Sequence, residues 1–157
     1  MATRGGITDG LLTGLAGAAT ITAALAAMGK AKGDTTAWDP FNAISHMIFG
    51  DRAAGVEGFS PRETLSGLGL NIGSLGVWGG LYERLAGKVE FPASLGAGAA
   101  ASALIWLLDY KILPERLRPG FEKRLGGRSV AATYVLLALV LGLSPLWKKR
   151  GEDDAGG

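Results

Sequence analysis

Hydrophobic and polar positions separate along this chain into long blocks. Four runs hold no ionisable residue: Gly10 to Gly29, Thr64 to Tyr82, Phe91 to Leu108 and Ser129 to Trp147, of 20, 19, 18 and 19 residues. All 31 lysine, arginine, aspartate, glutamate and histidine side chains fall between or beyond them. A soluble helix carries charge on its outer face every few residues. Crossing about 30 Å of hydrocarbon instead takes about 20 largely apolar residues. The pattern predicts an all-α, polytopic membrane protein in one domain. It reads as a four-helix transmembrane bundle with spans at about 7–29, 62–86, 91–113 and 128–147.

The longest connection predicts one more helix, at about 40–49. Asp39 suits the N-cap, Pro40 the first helical position and Gly50 the stop. Phe41, Ile44 and Ile48 share one face, and Asn42, Ser45 and His46 another. This is the pattern of a short amphipathic helix lying at the membrane surface. Ser60-Pro61-Arg62-Glu63 then reads as an N-cap, a first-turn proline and a capping-box glutamate opening the second span.

Small residues dominate the runs, and glycine alone accounts for 26 of 157 residues. In the second run Gly69, Gly73, Gly76 and Gly80 are spaced 4, 3 and 4 apart. At 3.6 residues per turn they fall within roughly 40° of one another. Such a stripe lets a second backbone approach closely. Gly10, Gly14 and Gly17 in the first run form the matching surface. That pairing leaves Asn71, Ser74 and Trp78 for the third span, a partner or a small cavity. Ala97 to Ala103 offers a further close-packing surface.

Charge and cysteine content narrow the class. The absence of cysteine excludes a disulfide framework and thiolate chemistry. The net charge is only +2, and the basic residues sit beside the spans. That placement points to lipid headgroups rather than nucleic acid. The first run exceeds the core of a cleavable signal, and Asp9 interrupts its approach. The two longer connections hold ten basic residues against six on the side of the termini, which leans toward both termini outside. Lys148-Lys149-Arg150, abutting the fourth span, pulls the other way. In either orientation the 39–51 and 111–128 segments share one face. The acidic tail from Gly151 to Gly157 reads as mobile.

Candidate chemistry is sparse. His46, with Asp39 and Asn42 on its helical face, suggests either a cofactor ligand or a polar face bonded to the basic loop. Asn71, Glu83 and Asp109 could mark a polar path. Equally, Asn71 could be interhelical glue and the two carboxylates salt-bridge partners of Lys111, Arg84 or a loop arginine. Arg116, Arg118, Lys123, Arg124 and Arg128 form a basic cluster suited to anionic lipid or an acidic partner. No catalytic constellation, nucleotide fingerprint or metal-ligand spacing is present.

Two boxes carry a resemblance. One is Asn42-Ala43-Ile44-Ser45-His46 followed by Gly50-Asp51. The other is Asp109-Tyr110, Pro114, Arg118-Pro119-Gly120-Phe121-Glu122 and Arg124-Leu125. Together they resemble a family of small bacterial inner-membrane proteins with four spans. The resemblance implies a multi-pass inner-membrane location and that both boxes build one surface feature. It implies no activity and specifies no cofactor. The leading expectation is a non-enzymatic accessory or scaffold subunit that packs against a larger membrane complex or itself, with membrane lipids around it. A small transport or ion-handling protein is the alternative, and a cofactor protein using His46 the third reading.

Overall fold

The structure is a computed structural model that describes residues 4–155, with side chains from 6 to 148. Among the described residues it is entirely helical. Four long helices form the body: α1 (Arg4–Ala31), α4 (Pro61–Ala86), α5 (Ala93–Leu107) and α7 (Gly127–Ala155). Short helices α2 (Asp39–Ile44), α3 (His46–Phe49) and α6 (Glu122–Leu125) close one end, with 3-10 turns at Asp51–Gly55 and Glu115–Leu117. The stretch 151–155, expected as a mobile tail, continues α7, and the side chains of Lys149 and Arg150 lie outside the described residues.

Three helical stretches are long and apolar enough to cross a membrane: Gly6–Ala31, Ala93–Ile112 and Gly127–Lys148. The expected second span, α4, is 26 residues long but is not among them. Within its charge-free run Thr64 to Tyr82 the glycines add no hydrocarbon, and Ser66, Asn71 and Ser74 lower the apolar character further.

The long helices pack as two antiparallel pairs, α1 with α4 and α5 with α7, joined through α1 and α7. Small residues set both close approaches. Against α1, a Cβ on Gly10 would come within 2.9 Å of the Gly80 Cα, and one on Gly14 within 2.8 Å of the Gly76 Cα. In the second pair, Gly98 faces the Gly142 backbone in the same way. There Ser94 Oγ donates to the Gly142 carbonyl at 2.6 Å and Ser102 Oγ to the Tyr134 carbonyl at 2.6 Å. Helices α4 and α5, although consecutive, barely touch beyond their connecting turn.

The glycine stripe on α4 seats only in part as expected: Gly76 and Gly80 meet Gly14 and Gly10, whereas Gly69 and Gly73 do not meet α1. The position whose Cβ direction runs into α1 is Gly79, 2.6 Å from the Gly14 Cα. Gly69 and Gly73 make no such contact, and a Cβ on any of Gly69, Gly73, Gly76 or Gly80 would meet open space. Gly76 and Gly80 touch α1 through their backbone alone. The helix is turned so that Leu75, Gly79 and Tyr82 face inward, and the stripe lies beside the seam. A Cβ on Gly17 would sit at ordinary contact distance, 3.9 Å from both Leu75 and Val140.

The expected surface helix is also placed differently. All of Asp39–Ile44 is buried, so α2 is a plug inside the end of the bundle rather than a raft on a membrane. The plug seats on α4, where the Phe41 carbonyl fills the space beside Gly67. Arg62 lies over the Phe49 ring at 4.1 Å and holds α3 against the start of α4. Gly50, at φ +81°, ends α3 in a conformation open to glycine.

Candidate binding cleft

The plug is held by a polar lock that joins the two sequence boxes. Asp39, 1% exposed, does not cap α2. Its carboxylate instead accepts from the Thr36 and Gly58 backbone N–H groups at 3.0 and 2.8 Å, from the Thr36 hydroxyl, and from Arg124 at 3.1 Å. Burial pushes this carboxyl up. The bonds from Thr36 and Gly58, with the Arg124 charge, outweigh that and hold it below the usual carboxylate range. Asn42, fully buried, donates to the Val56 and Gly58 carbonyls and accepts from Thr64 Oγ1 at 2.6 Å. Every face of its amide is used in stitching α2 to the loop and to α4.

His46 lies inside this lock. Its Nδ1 is 2.8 Å from the Ala43 carbonyl, which can only accept, so Nδ1 carries the proton. Nε2 is buried without a hydrogen-bond partner among the described residues. Gly120, at φ +89°, packs directly on the ring, leaving no room there for a side chain. No group of three His, Cys, Asp or Glu residues that could hold a metal occurs among the described residues.

The basic cluster is divided rather than shared. Arg124 pairs with Asp39 and reaches Glu57 at 3.7 Å, and Lys123 pairs with Asp51 at 2.5 Å, pulling the Asp51 carboxyl below its usual range. Arg118 is half-buried, whereas Arg116 and Arg128 stay exposed. These five residues therefore do not form one free basic patch.

Glu83 sits at the opposite end of the bundle, with a side chain only 1% exposed. It accepts from Lys148 at 2.6 Å and from Thr13 at 2.8 Å, and Lys148 also donates to the Gly87 carbonyl. Its partner is thus Lys148, not Lys111, Arg84 or a loop arginine. Nothing local in the sequence pairs positions 65 apart.

Because α4 and α5 splay from their turn, a cleft of about 690 Å³ opens between α4 and the α5–α7 pair. Ile21 of α1 contributes to its floor and Ile44 and Met47 of the plug to its roof. Gly69, Asn71, Gly73 and Trp78 form one wall; Asp109 and Tyr134 stand in the other. The cleft thus gathers Asn71 and Asp109 but leaves Glu83 out, so the three do not form one path. Asn71 donates to Thr22 Oγ1 of α1 at 3.0 Å and bonds the two helices together.

Asp109 lies on the π-turn Leu108–Ile112 that ends α5. The wider turn rotates the side chains at the helix end, a distortion frequent at functional sites. Asp109 accepts from the Tyr134 hydroxyl at 2.5 Å, and the next residue, Tyr110, donates to Glu122 at 3.0 Å. The two tyrosine rings meet edge to face at 6.1 Å. Tyr134, Glu122 and Lys148 are partners that sequence reading missed, because each comes from a distant element.

No protein-family model matches the chain, and neither a curated protein nor a solved structure matches it significantly.

Proposed function

We propose that this is a non-enzymatic, multi-pass membrane protein that takes a bilayer-soluble small molecule into the cleft between α4 and α5–α7. The observation that carries this reading is the cleft: about 690 Å³, largely apolar, with Asn71, Asp109 and Tyr134 among its lining residues. Binding sites for small molecules are of this size and character. In this reading α4 is the fourth span, about 39 Å long at 1.5 Å per residue, shielded by α1 on one side and lined by guest or lipid on the other. The location is a bacterial inner membrane, in line with the resemblance of the two boxes. Both termini lie outside, and the plug and the 111–128 loop face the cytoplasm. Native mass spectrometry of the chain in mild detergent tests the reading. A retained small-molecule adduct is expected, lost in Gly73→Leu, which fills the cleft, and kept in Gly96→Leu, where open space lies outside it. A chain free of adducts, or adducts indifferent to Gly73→Leu, would sink it.

A second reading rests on its own observation. Gly69 and Gly73 are uncovered and the Cβ sides of Gly76 and Gly80 are open, so α4 presents a lane along which a helix of a larger complex, or of a second copy, could lie close. In that case the protein is an accessory subunit. Copurification of a stoichiometric membrane partner that Gly76→Leu and Gly80→Leu displace would favour it over the small-molecule reading.

A further inference from the structure

The cleft has a charge asymmetry that bears on its guest. Asp109 is the one acidic or basic side chain among its lining residues. It forms no ion pair among the described residues, and its hydrogen bond comes from the neutral Tyr134 hydroxyl. Of the nearby cations, Arg118 reaches Tyr110 and forms no ion pair with Asp109 among the described residues, and three others are directed elsewhere. The Lys111 ammonium lies 5.7 Å from the centroid of the Trp106 ring, and Arg124 and Lys123 are spent on Asp39 and Asp51. The next carboxylate, Glu122, is held by Tyr110 and adds negative potential on the same side. A carboxylate on a largely apolar wall lacks a counter-charge, and low local dielectric strengthens its attraction for one. Trp78, Phe121 and Tyr134 line the same space with aromatic rings, whose faces also favour cations.

We propose that the cleft selects lipophilic monocations, the positive group resting against Asp109 and the hydrocarbon against Ile21, Trp78 and Leu137. The proposal rests on the small-molecule reading above and adds the charge of the guest. Asp109 contributes the ion pair, Tyr134 fixes the orientation of its carboxylate, and Gly69 and Gly73 provide the width on the facing wall.

The test uses the full chain in phosphatidylcholine nanodiscs, with isotope-labelled dodecylammonium and its neutral match, dodecanol, each corrected for uptake by empty nanodiscs. Saturable binding of dodecylammonium at one per chain is expected, with dodecanol roughly 30-fold weaker or more, the factor set by leaving a buried charge unpaired. Asp109→Asn should abolish the preference and Asp109→Glu should retain it. Tyr134→Phe should weaken dodecylammonium without restoring dodecanol. Equal binding of the two probes, or an Asp109→Asn variant that keeps the preference, overturns the cation proposal while the small-molecule reading stands. Saturable binding of neither probe removes both. Helix content and elution volume report whether Asp109→Asn folds; if it does not, the two probes on the unaltered chain decide.

Discussion

The carbonyl oxygen of Phe41 occupies the space that a Cβ on Gly67 would need. Plug and bundle therefore meet backbone to backbone, and neither side can yield by moving a side chain. Gly67→Ala should destabilise the fold by about 3 kcal/mol or more, as overpacking at a rigid site does. Two residues along, Gly69→Ala meets open space and should be neutral or stabilising by about 0.5–1 kcal/mol from helix propensity. Unfolding of both variants in detergent mixtures measures the contrast; equal effects would mean that α2 is not seated as described.

The Asp39 lock gives an acid-sensitive end. The folded-state carboxyl sits below its ordinary range, so its contribution is complete above about pH 4, the unfolded value. It is lost as the pH falls through the lower folded value. Fluorescence of Trp38, which stacks edge-on against Phe59 at 5.3 Å beside Asp39, should report loosening of the plug in that range. Asp39→Asn should remove the acid step and lower stability at neutral pH. An unchanged acid profile in that variant would place the transition elsewhere.

At the other end, Glu83 and Lys148 form a buried pair. Lys148→Met alone leaves the Glu83 charge buried and should cost about 3–5 kcal/mol. Adding Glu83→Met should cost much less than a second independent loss, giving a coupling of about 2 kcal/mol or more in a double-mutant cycle. Additive losses would show that the two do not pair in the folded protein.

Asn71 holds α4 to α1 through Thr22. Asn71→Leu and Thr22→Val should each cost about 0.6–1 kcal/mol, typical of interhelical polar bonds in membranes, and the double variant little more than either. A large loss for Asn71→Leu alone would assign the amide a role beyond this bond.

The all-helical character was legible because each long helix is announced by a run without ionisable residues, although only three helical stretches among the described residues are long and apolar enough to cross a membrane. The shared face of the two boxes was legible too, since the span count places the 39–51 and 111–128 segments together, and Asp39–Arg124 and His46–Gly120 join them. The rotation of α4 was not. Gly79 and Gly80 are adjacent, and both positions lie on glycine-rich stripes. Composition cannot decide which faces α1, although one residue turns a helix by about 100°. The burial of α2 was hidden for a related reason. Its polar face of Asp39 and Asn42 reads as water-facing until the loop carbonyls, Thr64 and Arg124 that satisfy it come into place. The cleft itself arises from the divergence of α4 and α5, which no local pattern records.

The Gly73 wall of α4 faces an open cleft, which in the proposed reading is reached from the bilayer. The chain has no cysteine, so a single one introduced at that wall is unique. The measurement is the labelling rate of Gly73→Cys in nanodiscs by a membrane-soluble maleimide, compared with Gly17→Cys, which fits without a clash but is enclosed by Leu75 and Val140. Rapid labelling is expected at 73, slowed by a saturating guest, and little at 17. Equal rates at the two positions, or an unreactive cysteine at 73, would contradict it.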